Sequence, residues 1–299
     1  MENTRKKRKL SLKTRDNIAG YLFLLPNIVG FIGFSLIPVI TAFGLSFTNW
    51  DGMQETKFIG LKNFIDLFNH DSFKIALKNT FVYAVSFVPL TLIVALAAAI
   101  LLNQTLHGVK IYRAIFFMPY ISSAVAISYV WAALLNPTSG PVNMMLKAIG
   151  IENPPMWLTS PDWAMFTVVL ISVWKNSGYY SIIYLASLQG VPKHLEEAAM
   201  IDGANRWQVF RKVTLPELRP VTFFCLIMAA IGSFKVFDQV YVLTEGGPGQ
   251  ATTTLVQYIY TNSFRNYRMG YGAAAAVVLF LIIFVVTLIQ FRGQKKWEN

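Results

Sequence analysis

The sequence is poor in charge, in cysteine and in histidine. Only 14% of its 299 residues are charged, whereas soluble domains carry about 25%. Cys225 is the only cysteine, so no disulfide can form within the chain. The three histidines are scattered and neither HExxH nor CxxC occurs, which argues against a metal site. No Gly-Lys dipeptide occurs either, which excludes a P-loop for phosphate binding.

Long apolar runs stand in place of the missing charge. The chain is 55% hydrophobic, and its mean hydropathy is +0.47. A helix of about 20 apolar residues spans the hydrocarbon core of a membrane. The sequence therefore predicts an all-α membrane protein with six transmembrane helices. Four of the runs carry no charge, one carries Lys175 and the last carries Lys235 and Asp238; the runs are Ile18–Phe47, Asn79–Leu102, Ala114–Leu135, Tyr271–Phe291, Trp163–Leu188 and Pro220–Leu243.

The distribution of Lys and Arg predicts the orientation. With residue 1 inside, the inner segments hold 17 of these residues and the outer segments hold 7. Positive residues concentrate on the cytoplasmic side, so both termini are predicted to be cytoplasmic. The net charge of +11 then reflects topology and contact with anionic lipid, and no nucleic-acid partner is expected.

The predicted organisation follows from these spans. It comprises a basic cytoplasmic N-terminus (1–17), a first span (18–48), an extracellular segment (49–78), a core of spans two to six (79–292) with a cytoplasmic loop at 190–217, and a cytoplasmic tail (293–299). Apolar residues at helical spacing predict a short interfacial helix over Leu61–Phe68 in the first outer segment. In the second, Val142–Ile149 is predicted to form one or two helical turns.

The cytoplasmic loop is charged and prone to form helices. Pro192 is suited to a helix start, and Glu196 and Glu197 follow in the early turns, where the helix dipole favours acidic residues. Gly203 interrupts the pattern, which resumes at Arg206. We therefore predict two short helices bent at Gly203. The pattern alone favours an amphipathic helix that anchors the loop to lipid.

The letters of this loop resemble a known motif. Glu197-Ala198-Ala199, then Gly203, then Val213-Thr214-Leu215-Pro216 match the spacing of the EAA loop of bacterial ABC-importer permeases. The resemblance implies the type I ABC importer permease (MetI-like) fold. It also implies a coupling helix that sits in a groove of a nucleotide-binding subunit and includes Glu197, Ala198, Ala199, Asp202, Gly203 and Ala204.

A second segment narrows the resemblance. Leu243-Thr244-Glu245-Gly246-Gly247-Pro248, with Thr252 soon after, is similar to a segment of sugar permeases of the maltose-permease first-subunit type. This similarity implies a permease for a carbohydrate in the bacterial plasma membrane. Its implied partners are a second permease, two ATPase subunits and an extracellular solute-binding protein. No catalytic residue and no cofactor is expected in this chain, since ATP and Mg²⁺ would bind to the ATPase subunits.

Two intramembrane clusters are candidate substrate contacts. Lys235 and Asp238 lie three residues apart, so a single helix would place them on one face, either as a structural ion pair or in a polar pocket. Trp174, Gly178 and Ser181 also share a predicted face, on which Gly178 would leave room for a sugar ring stacked on Trp174. The resemblance implies binding at these five positions and at Phe234.

Three alternatives remain open at this stage. A permease for a non-sugar solute would share the EAA loop but not the Gly-Gly-Pro segment. A half-size secondary transporter would show inverted repeats and acidic residues within its spans, whereas only Asp238 qualifies and no repeat is evident. An intramembrane enzyme would need catalytic residues at one depth, and none are apparent.

Overall fold

The computed structural model describes residues 12–53, 55–104 and 107–294. Within these ranges the chain forms helices and turns, and its only extended pairing is an isolated bridge between Thr48 and Phe58. The predicted cytoplasmic termini lie mostly outside the described residues. The α-helices are α1 (Leu12–Phe31), α2 (Ile37–Leu45), α3 (Lys62–Asn69), α4 (Asp71–Leu102), α5 (Val109–Ile121), α6 (Ala124–Leu134), α7 (Pro141–Ala148), α8 (Pro161–Gly190), α9 (Lys193–Ile201), α10 (Arg206–Val209), α11 (Leu215–Glu217), α12 (Arg219–Phe234), α13 (Asp238–Leu243), α14 (Leu255–Tyr260) and α15 (Met269–Gln294). Short π-helical segments lie at Ile32–Leu36, Phe210–Thr214 and Thr261–Arg265.

Three helices of the described chain are long and apolar enough to cross a membrane by themselves. They are Gly20–Leu45, which joins α1 and α2, and the helices Asp71–Leu102 and Met269–Gly293. Two bent pairs raise the number to five if each pair is one span: α5 with α6, and Arg206–Glu217 with α12. The remaining predicted span lies on α8, whose 30 residues measure about 45 Å. The polar residues Lys175 and Asn176 lower the mean hydropathy of α8, so composition alone does not identify this helix as a membrane span.

The third predicted span is not the single helix that its uncharged sequence suggests. The chain bends by 97° between α5 and α6, and Ser122 at the break is extended. Pro119 removes a backbone donor near the end of α5. The side chain of Ser123 accepts a hydrogen bond from the amide of Ala126 and so caps the start of α6.

The core forms where α4 and α8 pack along their length. Small residues of α4, including Ala95 and Ala99, are fully buried and let the two helices approach closely. Helix α12 packs against both, and these three helices contribute most of the larger apolar cluster. A second cluster joins α15 to α14, α3 and the N-terminal half of α4.

The predicted outer helices are both present. Helix α3 confirms the short helix expected near Leu61–Phe68, and its buried Asn63 donates hydrogen bonds to the carbonyls of Ser46 and Thr48, at 2.9 and 2.7 Å. Helix α7 confirms the turns expected at Val142–Ile149. The first span contacts the rest of the chain mainly through α2 on α15, where Phe43 meets Phe280 edge to face. Most of its apolar surface is exposed.

Candidate functional site

The fifth predicted span is broken in its middle. Helix α12 ends at Phe234 and α13 begins at Asp238. The amides of Lys235 and Val236 turn back to the carbonyls of Gly232 and Ser233, which tightens the helix end. The hydroxyl of Thr254 donates to the freed carbonyl of Val236 at 3.1 Å. The prediction that Lys235 and Asp238 share one helix face is therefore wrong, because the helix stops between them.

A polar cavity of about 200 Å³ lies at this break. Irregular backbone at membrane depth is tolerated where it lines a cavity or is buried in protein. The cavity is bounded by α4, α8, the start of α6 and the break itself. Its lining residues are Tyr83, Phe87, Ala124, Lys175, Asn176, Tyr180, Gly232, Lys235, Val236, Phe237, Asp238 and Gln239.

Lys175 is the buried charge of the cavity. It is only 8% exposed, although it lies in the middle of α8. Its Nζ donates a hydrogen bond to the carbonyl oxygen of Tyr120 at 3.1 Å and lies 5.5 Å from the centre of that residue's ring. These contacts hold the ammonium group in place, and the ring adds a cation–π attraction. Neither contact neutralises its charge.

Gln239 places a side-chain amide in the same wall. It is 6% exposed, and its Oε1 accepts a hydrogen bond from Ser172 Oγ at 2.6 Å. The other end of the amide, Nε2, is buried and has no hydrogen-bond partner in the described part of the chain. Buried polar atoms in native proteins are nearly always paired. Gln239 therefore adds a buried polar group, held by Ser172, to the wall of the cavity.

Lys235 and Asp238 are the two predicted contacts that the structure brings to this cavity. Both are exposed and line it. They form no ion pair within 4.0 Å, and the ion pairs of the described residues lie elsewhere, between Lys74 and Asp71 and between Arg265 and Glu245. The six predicted contacts did not include Tyr83, Lys175, Tyr180 and Gln239, which also line the cavity. Of these, Lys175 and Gln239 gave a usable signal, as polar residues within apolar runs.

The other four predicted contacts lie outside the polar cavity. Trp174 packs edge to face on Trp131 at 5.5 Å and lines a separate, apolar cavity of about 340 Å³. Gly178 leaves no room for a sugar ring, because a Cβ there would clash with the carbonyl oxygen of Phe116 in α5. Ser181 is buried, and its hydroxyl donates to the carbonyl of Gly178 at 2.9 Å. Phe234 is buried against Phe81. Any contact of these four with a solute stays a prediction.

The cytoplasmic loop has the predicted bend at Gly203. Gly203 has a φ of +85°, a conformation that favours glycine. The amide of Ala204 bonds the carbonyl of Ala199 and that of Gly203 bonds Met200, both at 3.0 Å, which is the Schellman ending of a helix. Asn205 then begins α10 with a capping box to Gln208. The prediction of two short helices is confirmed.

The tip of this loop is exposed and partly apolar. Glu197, Ala198, Asp202 and Gly203 are exposed, whereas Ala199 and Ala204 are half-buried. Beside them, Ile201 is 86% exposed and Trp207 is 66% exposed. Behind the tip, Thr214 Oγ1 donates to Glu196 Oε1 at 2.8 Å and ties the two halves of the loop together. Exposed apolar side chains grouped on a braced loop are typical of a protein contact surface.

The Gly-Gly-Pro segment forms a compact turn after α13. Gly246 has a φ of +86°, and a Cβ there would lie 2.6 Å from Thr253 Oγ1. The hydroxyl of Thr252, which is fully buried, lies 2.6 Å from that of Thr244 and 2.9 Å from the carbonyl oxygen of Gly247. These contacts explain why two threonines accompany the glycines in the motif.

Comparisons with known proteins identify the family of this chain. The family described as binding-protein-dependent transport system inner membrane component matches residues 107–298. The probable ABC transporter permease protein YesP of Bacillus subtilis is 39% identical over 289 residues, which are 95% of this chain and 93% of that protein. The lactose transport system permease protein LacF of Rhizobium radiobacter is 38% identical over 291 residues, 96% and 97% of the two chains. A solved bacterial ABC transporter involved in the import of the acidic polysaccharide alginate has a TM-score of 0.81 at 27% identity and covers 95% of this chain and 97% of its own. By its fold and its relatives, this chain belongs to the family of binding-protein-dependent transport system inner membrane components.

Proposed function

We propose that this chain is one transmembrane subunit of a bacterial ABC importer that carries a carbohydrate across the plasma membrane. The observation that carries the proposal is the polar cavity at the break between α12 and α13. The names of its relatives support the choice of solute, since one is a lactose permease and the structural neighbour imports a polysaccharide. The cargo is an oligosaccharide or a related sugar.

The cavity offers the groups that a sugar requires. Lys175 and Lys235 provide hydrogen-bond donors, and the carboxylate of Asp238 provides acceptors. Tyr180 and other aromatic side chains supply apolar walls. At about 200 Å³, the cavity is smaller than the roughly 300–1,000 Å³ of most ligand pockets. It therefore holds one end of the solute, and a second permease subunit, related by a pseudo-twofold axis, supplies the rest of the path.

The energy for transport comes from other subunits. We propose that ATP and Mg²⁺ bind to two separate ATPase subunits and that one of them docks on the loop containing Glu197, Ala198, Ala199, Asp202, Gly203 and Ala204. The exposed side chains of Ile201 and Trp207 beside these residues support a docking role, because aromatic and apolar groups dominate protein interfaces. The chain itself has no catalytic residue in this proposal.

Helices α11 and α12 connect the cytoplasmic loop to the cavity. Between α11 and α12 only Leu218 intervenes, and its side chain is fully buried. Helix α12 has 16 residues, about 24 Å, and its far end is the cavity wall at Lys235. We propose that closure of the ATPase dimer moves the loop and tilts α12, which turns the cavity from one side of the membrane to the other. Two global states, biased by ATP inside and by a loaded binding protein outside, suffice for this cycle.

The orientation is part of the proposal. Both termini and the loop at 190–217 lie in the cytoplasm, and the Gly-Gly-Pro turn faces the solute-binding protein outside. The excess of Lys and Arg in the inner segments supports this arrangement. The chain contacts membrane lipid through its apolar spans.

The test is to identify the solute. The complete complex is purified with its own binding protein, the bound ligand is released, and its structure is determined by mass spectrometry. We expect a carbohydrate that the reconstituted complex imports with ATP. An amino acid, a metal ion or phosphate in its place would refute the proposed function.

A further inference from the structure

The charge of the cavity points to a class of sugar. We propose that the solute carries a carboxylate, as a uronic acid residue does, and that Lys175 and Lys235 bind this carboxylate. The inference rests on the proposed function and makes it more specific.

The charged groups that line the cavity do not balance. Lys175 and Lys235 contribute two positive charges and Asp238 contributes one negative charge. Among the described residues, no carboxylate lies within 4.0 Å of either lysine. An ionised side chain inside a membrane protein is costly and is normally paired or functional. One positive charge in this cavity therefore has no counterpart from the chain.

The surroundings of Lys175 show how a ligand would complete its coordination. An ammonium group has three protons to donate. One is bonded to the carbonyl oxygen of Tyr120 at 3.1 Å, and that carbonyl remains neutral. The residue is 8% exposed, so bulk water is largely excluded from solvating the charge. A solute carboxylate in the cavity would accept hydrogen bonds from the two remaining N–H groups, and its negative charge would balance that of the ammonium group.

Other polar groups in the cavity wall would support the contact between Lys175 and a solute carboxylate. Lys235 reaches the same cavity from the break after α12, and its side chain is exposed to the solute. Gln239, whose amide is held by Ser172, lies in the same wall. Two ammonium groups can bind both oxygens of a carboxylate, whereas a neutral sugar hydroxyl would leave the excess charge unmatched. The carboxylate of Asp238, whose charge also acts on Lys175, can accept hydrogen bonds from sugar hydroxyls.

The first test uses the ligand isolated with the complex. A uronic acid, or another sugar bearing a carboxylate, is the expected result. A neutral oligosaccharide would overturn this inference and leave the proposed function intact. A ligand that is not a carbohydrate would overturn both.

The second test compares the isolated sugar with its own reduced form, in which each carboxyl group has become a primary alcohol. Import of both is measured in proteoliposomes with the complete complex and binding protein. The binding protein also distinguishes the acidic sugar from its reduced form. We therefore compare variants of this chain by one quantity, the import rate of the acidic sugar divided by that of the reduced sugar. Lys175→Gln and Lys235→Gln should each lower that ratio by about tenfold, the effect of losing one charge-assisted hydrogen bond.

Lys147→Gln is the matched control. Lys147 is an exposed lysine in α7, outside the cavity, and its variant should keep the wild-type ratio. Thermal unfolding of each variant complex checks folding, and Lys235→Gln carries the test by itself if Lys175→Gln is unstable. An unchanged ratio in the folded lysine variants would overturn the inference.

Discussion

The substitution Gly203→Asp tests whether the cytoplasmic loop docks on an ATPase subunit, because it should weaken docking without preventing the loop from folding. Gly203 ends α9 with a φ of +85°, and a Cβ built there meets no atom within 4 Å. The substitution therefore introduces backbone strain but no clash. A left-handed conformation costs a residue other than glycine about 1–2 kcal/mol, and Asp tolerates it better than most. Native proteins have roughly 5–15 kcal/mol of stability, so we expect Gly203→Asp to fold and insert normally.

Docking should respond far more strongly. Gly203 lies at the exposed tip, beside Asp202. In the proposed docking, Asp at position 203 would place a second carboxylate in the interface with the ATPase subunit, and an unpaired charge in an interface costs several kcal/mol. Each 1.4 kcal/mol is a factor of about ten in affinity. We therefore expect the variant to lose association with the ATPase and to abolish ATP-dependent import.

The assay has an internal control in the same chain. Gly108 also has a positive φ, +75°, is exposed, and a Cβ there meets nothing within 4 Å. Gly108→Asp therefore introduces comparable strain in the other predicted inner connection, away from the EAA loop, and should import normally. Insertion is measured by membrane fractionation, association by co-purification, and import in proteoliposomes. Wild-type import by Gly203→Asp would refute the coupling assignment.

Three further predictions concern other parts of the chain. Gly178→Val would press on the carbonyl of Phe116 and should destabilise the complex by about 1–3 kcal/mol; an unchanged Tm would contradict this packing. Thr252→Val loses two contacts of the Gly-Gly-Pro turn, at a cost of about 1–3 kcal/mol for buried groups left unpaired, and should speed amide hydrogen exchange in that turn; wild-type exchange rates would count against it. The purified chain without partner subunits should hydrolyse no ATP, and robust hydrolysis by the homogeneous chain would exclude the proposed role.

Helix breaks are the part of the fold that hydropathy did not predict. The segments around Ser122 and Val236 are apolar enough to suggest unbroken spans. Each break depends on a contact or a cap that hydropathy does not measure. The hydroxyl of Thr254 binds the carbonyl of Val236 from 18 residues away, and Ser123 caps a helix that leaves α5 at 97°. Average hydropathy is insensitive to such single hydrogen bonds.

The sequence by itself determined the local features of this protein. Charge-free runs predict spans because the membrane interior excludes charge. Gly203 predicts the bend in the loop because few other residues adopt its backbone conformation. Only the tertiary structure decided which residues of α8 line the polar cavity. Gly178 lets the backbone of α5 approach so closely that no room is left beside it. Lys175 lies three residues earlier on the same side of α8, but its longer side chain reaches the carbonyl oxygen of Tyr120 at the end of α5 and lines the cavity. That choice depends on how two distant helices pack, which no local pattern records.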